Sequence, residues 1–228
     1  MVTSQTKERP IIFSGPMVNA ILAGRKTQTR RAVKVSACHR FNVTEINGRW
    51  WYHDECQDPL DGNELRCPYG VIDDHLWVRE TWLKLRRHHR HDTTKPDDWL
   101  VSWVNKPRRN SCAYRADETA ESERCRLELG YKKWSPPIHM PRWASRITLE
   151  VVSVRVERLH EITEVDARAE GVEMCAHFAK AQYGHPLQPH RTAFAWLWAL
   201  IHGRGSWCTN PWVWVVSFQR VDETIGTV

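Results

Sequence analysis

The sequence predicts an α+β protein built on a mixed β-barrel with short flanking helices. Three observations carry this reading. Strand-like stretches recur at uneven spacing, at His75 to Trp82, Ser145 to Val156 and Pro211 to Val221, so no regular βαβ alternation runs through the chain. Short helical stretches stand near each end, at Met17 to Ala23 and His190 to His202. No strand leads into a Gly-rich phosphate loop, and the lone Gly203-Arg204-Gly205 follows a helix, which argues against a doubly wound nucleotide-binding sheet.

The elements follow in chain order. Residues 1–9 are polar and are expected to be loose. Pro16 suits a first helical position and Gly24 suits a helix end, which bounds the first helix. Residues 36–70 read as irregular, with turns at Asp58-Pro59 and Asp61-Gly62-Asn63. In His75 to Trp82, Leu76, Val78 and Glu80 alternate with Trp77, Arg79 and Thr81, as a strand requires. Residues 84–135 break the pattern with charge and proline, leaving a short strand at Ser111 to Arg115. The three prolines of Trp134 to Trp143 impose an extended loop. β-Branched residues mark Ser145 to Val156 as a long strand. Thr163 and Asp166 form a capping box opening a helix over Glu164 to Glu170, ended by Gly171. The last strand alternates Trp212, Trp214 and Val216 with Val213 and Val215.

Composition narrows the class. The chain has 228 residues, 33 basic against 27 acidic side chains and a net charge of +6, and 41% of it is hydrophobic, enough for a real core. One domain is expected over residues 1–228. The longest apolar run, Phe194 to Ile201, is too short to span a bilayer, and residues 1–15 hold no signal-like apolar stretch. A soluble, cytoplasmic protein is expected. Seven cysteines without regular spacing suggest reduced thiols. His88, His89 and His91 lie among arginines, which favours a solvated basic loop over a metal site, so no metal and no cofactor are expected.

The most informative segment is Ile21 to Arg31, a helix end followed by a cationic turn and an extended run. Arg25, Lys26, Arg30, Arg31 and Lys34 put five positive charges between Gly24 and Lys34. Lys26 stands just past the helix stop, and Thr29, three residues on, is able to face the same space. Spacing alone leaves open a basic surface loop that binds phosphate or nothing.

Gly24-x-Lys26-x-x-x-x-Arg31 resembles the GxKxxxxR signature of ASCH domains. That resemblance implies a PUA-like β-barrel, here with loop-rich insertions at about residues 35–70 and 84–140. ILAGRKTQTRR is also similar to the corresponding stretch of the small bacterial N4-acetylcytidine amidohydrolases, which use a Lys, a Thr three residues later and a distant Glu. The resemblance assigns these roles to Lys26, Thr29 and, through Ile162 to Glu170, to Glu170. Leu76 to Trp82, Met140 to Trp143 and Asn210 to Trp214 look like the larger ASCH proteins of phages and prophages.

Amide hydrolysis needs an activated nucleophile, a proton donor for the leaving amine and an oxyanion stabiliser. A desolvated Lys26 beside Arg31 has its pKa lowered and is able to act as base, with Thr29 as nucleophile or water-orienting group and Glu170 as proton shuttle. The inverse assignment, Glu170 as base and charged Lys26 as oxyanion stabiliser, stays open. Arg79 and Glu80 sit mid-strand, where Arg79 either faces the interior, able to pair with Glu170 or to hold a base edge, or forms an ordinary surface ion pair with Glu80. Arg142 and Trp143 follow a proline-stiffened loop that would fix them at a rim. With Arg31, these are the substrate-binding candidates. Among the 13 Trp, Trp196, Trp198, Trp212 and Trp214 read as core, whereas Trp50 and Trp51 are candidates for base stacking. The expected function is removal of an acyl group from an N4-acylated cytidine-type nucleoside. Its alternatives are a non-catalytic RNA-binding module, for which the basic segments 24–34 and 84–91 would be the binding surface, and a metal-independent ribonuclease. The expected partner is a modified pyrimidine nucleoside or RNA, with no membrane.

Overall fold

A computed structural model describes residues 6–34, 41–54, 62–84, 112–128, 130, 133–172 and 189–221. Its centre is a mixed five-stranded sheet of β1 (Glu8–Ile12), β2 (Gln28–Ala32), β6 (His75–Arg79), β9 (Thr148–Arg158) and β10 (Trp212–Val221), in the order β1-β6-β9-β10-β2. β1 runs parallel to β6, and every other pairing is antiparallel. A three-stranded sheet of β3 (Phe41–Ile46), β4 (Arg49–Asp54) and β5 (Asn63–Leu65) lies beside it, and β7 (Trp82–Lys84) pairs with β8 (Cys112–Tyr114). The helices are α1 (Gly15–Leu22), α2 (Ala120–Glu128), α3 (Glu164–Ala169) and α4 (Pro189–His202). The α+β class is as expected, but the five-stranded sheet does not close into a barrel among the described residues.

The alternation of β10 separates the two faces of the central sheet. Trp214, Val216 and, past a bulge at Ser217/Phe218, Phe218 pack with Ile11, Phe13, Leu76 and Leu149 and with Val18 and Ile21 of α1. Val213 and Val215 point the other way, against Leu159, Ile162 and Ala167 and against Phe194 and Trp198 of α4. A satellite core of Trp82, Met140 and Ala144 sits under β7 and β8.

Most boundaries follow the sequence signals. Pro16 stands in the first turn of α1, and Gly24, just past its end, takes φ +70°. Thr163 and Asp166 form the reciprocal capping box of α3. The expected strand from His75 to Trp82 is two strands, because the buried Glu80 between them donates its backbone N–H to Met140 Sδ instead of to a ladder. The proline-rich stretch before β9 carries single helical turns at Pro137–His139 and Arg142–Ala144.

Three expectations need correction. Glu8 and Arg9, expected to be loose, open β1, whose Ile11 is core. Residues 41–54, expected to be irregular, form a hairpin turned at Asn47 (φ 52°) and Gly48 (φ 73°), the mirror-image turn that an Asn-Gly pair favours. That dipeptide is the local signal for the hairpin. Trp196, expected in the core, is 62% exposed on the outer side of α4, whereas Trp198 and Trp214 are buried and Trp212 is half-buried. Cys67, Cys112 and Cys208 are free thiols. The basic stretch 85–91, with its three histidines, lies outside the described residues. No helix among the described residues is long and apolar enough to cross a membrane.

Candidate functional site

Three elements meet at the free edge of β2. The end of α1 fixes Lys26, whose backbone N–H donates to Ala20 O at 3.0 Å. Thr27 then donates to Ala169 O at 2.9 Å, tying this turn to the end of α3, and Lys26 and Glu170 form an isolated antiparallel bridge. Gly171 (φ 77°) makes that approach possible: a Cβ there would stand 2.7 Å from Lys26 Cβ and 2.9 Å from Ala20 Cβ.

The Lys26 ammonium is enclosed, with the residue 2% exposed. Its Nζ donates to Glu170 Oε2 at 2.8 Å, Gln28 O at 2.8 Å and Glu170 O at 2.9 Å. Three oxygen acceptors around one nitrogen match the three protons of a charged lysine. Burial pushes its pKa downward, and the Glu170 carboxylate opposes that shift. Phe13 supplies an aromatic face 5.5 Å from Nζ.

Glu170 holds a second cation. Arg30 donates from Nη1 to Glu170 Oε1 at 3.2 Å, and from Nε and Nη2 to Glu157 Oε1 at 3.1 and 2.5 Å. Its Nη2 also lies 3.5 Å from Asp166 Oδ2. Burial alone would raise Asp166, but hydrogen bonds from Thr163, with Arg30 and Gln28 behind them, outweigh it and hold the carboxyl at about 2. Lys26, Arg30, Glu157, Asp166 and Glu170 thus form one internal network in which Glu170 is shared by two cations.

A cavity of about 30 Å³ opens beside this network, lined by Thr29, Arg30, Arg31 and Glu170 and by Phe194, Trp198 and His202 of α4, among others. That is room for one water. Arg31 contributes an unusual feature: Nη2 donates to Ile12 O at 2.6 Å, while its buried Nε–H has no partner among the described residues. His202 stacks on Trp198, with ring centroids 4.1 Å apart, and burial together with Arg31 and Lys34 lowers its pKa.

Lys26, Thr29, Glu170 and Arg31 are therefore brought together, although 139 positions of sequence separate Arg31 from Glu170 (170 − 31). The other candidates stand elsewhere. Arg79 stacks on Trp77 at 4.6 Å. Glu80, 1% exposed, is clamped by Arg146 at 2.8 and 3.0 Å, and Arg146 also binds Asp117, so the carboxylate ties β6 to the loop before β9. Neither ion pair expected of these two residues, with Glu170 or with each other, forms. Arg142 makes a bidentate pair with Glu8 at 2.8 and 2.9 Å, and Trp143 meets Trp82 edge to face. None of these four lines the cavity.

Sequence reading misses Arg30 and His202. By sequence Arg30 belongs to a basic lip, yet strand alternation turns it away from Thr29 and Arg31, toward α4. His202 carries no motif, and only folding brings it to the cavity. Two of the five cations in residues 24–34 are thus internal, and that segment is not a free basic surface. Among the described residues no group of three metal-ligating side chains occurs. No protein-family model matches this chain, and neither a curated protein nor a solved structure does.

Proposed function

We propose that the chain is an ASCH-type, PUA-like protein and that the cavity at Lys26, Thr29 and Glu170 hydrolyses the exocyclic amide of an N4-acylated cytidine. The observation that carries this reading is that Thr29, Arg31 and Glu170 line one small cavity and that Glu170 is ion-paired to the buried Lys26 at 2.8 Å. A surface loop that merely binds phosphate would leave Lys26 in water; here it is ion-paired inside the protein.

The chemistry follows from the hydrogen bonds. Lys26 is surrounded by acceptors, so the cationic form is the one the site holds, and Glu170 takes the role of base. A water in the cavity, oriented by Thr29, attacks the acyl carbon and passes a proton to Glu170. The carbonyl oxygen gains the negative charge, which the cationic Arg31 lining the cavity offsets. Glu170 then delivers the proton to N4 as the C–N bond breaks, leaving cytidine and the free acid. Arg30 and Lys26 hold the carboxylate in place throughout.

A space of about 30 Å³ is far below the usual 300–1,000 Å³ of a ligand pocket. The cavity therefore holds only the attacking water, with the acyl carbon at its mouth and the pyrimidine outside against Arg31, Ile201 and His202 at the end of α4. Incubating the purified protein with N4-acetylcytidine and separating the products by chromatography tests it. Cytidine is expected from the native protein and is expected to be lost in Glu170→Gln; no turnover by the native protein, or undiminished turnover in the variant, would sink the proposal.

A further inference from the structure

On the face of the central sheet away from α4, a groove of about 700 Å³ lies between β1 and β9 and the β3–β5 sheet. Trp212 Nε1 donates to Phe41 O at 2.9 Å and pins one end of that small sheet to β10. Beyond the pin the two sheets part, leaving Trp214 and Val154 of the central sheet facing Trp50 and Leu65 of β4 and β5. Val71 and Ile72 also line the groove and are 66% and 58% exposed.

The rim is cationic. Lys7, Arg9, Arg49 and Arg66 line the groove against one lining acid, Glu64, a balance of 4 − 1 = +3. Glu64 is shared by Arg66 at 2.6 Å and Arg49 at 3.6 Å, whose side chains are 81% and 69% exposed. Arg9 is underused: its buried Nε has no hydrogen-bond partner among the described residues, and the nearest carboxylate oxygen, Asp74 Oδ2, is 3.7 Å away. Counting Asp74 still leaves +2.

The wall on this side is built rather than incidental. Asp74 is buried and accepts from Lys7 N at 3.0 Å and Val71 N at 3.2 Å, so one carboxylate fixes β1 and the turn that carries Val71 and Ile72. Gly70 (φ 100°) lets this turn close, because a Cβ there would meet Asp74 Oδ2 at 2.6 Å.

We infer that this groove is a second ligand site, taking a nucleotide unit whose base lies against Trp50 and whose phosphate is held by Arg9, Arg49 and Arg66. A flat apolar wall beside an underpaired cationic rim fits a ligand that is planar at one end and anionic at the other. The volume lies within the range of ligand pockets, and the open form admits a free nucleotide or one unit of a single strand. The site stands independently of the amidohydrolase reading, since none of its lining residues borders the Lys26 cavity.

The test is fluorescence anisotropy of a labelled oligocytidylate octamer on the full chain, with cytidine 5′-monophosphate and inorganic tripolyphosphate as competitors. The double variant Arg49→Gln/Arg66→Gln is expected to weaken binding at least tenfold and to reduce the slope of log K against log salt by about 0.7, for the one phosphate no longer neutralised. Arg168→Gln/Arg204→Gln, two exposed cations away from the groove, is expected to bind as the native protein does. Competition by the monophosphate assigns the site to free nucleotides; binding of the octamer alone assigns it to strands. Absence of binding, equal loss in both double variants, or tripolyphosphate competing as well as the octamer would overturn the inference. N4-acetylcytidine turnover, measured on the same preparations, reads the other site separately.

Discussion

The edge of β2 and the groove under the β3–β5 sheet use the same kind of residue in opposite ways. At the β2 edge, Lys26 and Arg30 are fully buried and their charge is matched by Glu157, Asp166 and Glu170, leaving a cavity of about 30 Å³. In the groove, Arg49 and Arg66 stand in solvent with one carboxylate between them, beside about 700 Å³ of open space. Buried, matched charge fixes the geometry of a few atoms and has a high cost if broken. Exposed, underpaired charge contributes little to stability but remains available to an outside anion. The net +6 of the chain therefore describes neither region, and the distribution of partners describes both.

The sharpest way to break this contrast is to remove the shared carboxylate. Glu170→Ala strands the buried Lys26 and takes from Arg30 one of its three carboxylates, and it is expected to cost about 3–5 kcal/mol in urea unfolding. Arg49→Gln/Arg66→Gln is expected to stay within about 0.5 kcal/mol of the native protein in the same experiment. Equal losses in the two would erase the distinction.

Acid titration sharpens it further. Asp166 has an ordinary value of 3.8 and is held at about 2 in the folded state, so its contribution is fully present above 3.8 and is lost as pH falls toward 2. Native protein followed by circular dichroism is expected to lose stability steeply across that window, and Asp166→Asn is expected to show a shallower fall there. An unchanged acid limb in the variant would remove Asp166 from the network.

What the sequence makes legible follows from where the signals are local. Capping and stop residues place α1, α3 and α4, and β-branched runs place β9 and β10, because a helix cap or a strand alternation is read from neighbours. No such signal marks β1, whose partner in β6 is 67 positions away, from Glu8 to His75 (75 − 8). The Asn47-Gly48 turn is a local signal too, but the stretch around it lacks the apolar alternation that would announce its strands. At the site, a motif locates Lys26 and Thr29, and a second aligned segment locates Glu170. Arg30 shows the limit: it stands in a cationic segment beside Arg31, and only pairing with Val215 in β10 decides that it turns inward. His202 and Trp50 depend on which element covers which face, and that depends on the whole fold.

The most direct measurement is the release of cytidine from N4-acetylcytidine by Thr29→Val. The substitution keeps the volume and β-branching of a residue that is 4% exposed in β2 and removes only the hydroxyl. With thermal unfolding showing the variant folded, turnover is expected to fall by roughly 100-fold or more, in line with the loss of a positioned polar group. Turnover equal to that of the native protein would contradict the assignment of the cavity as the reacting centre.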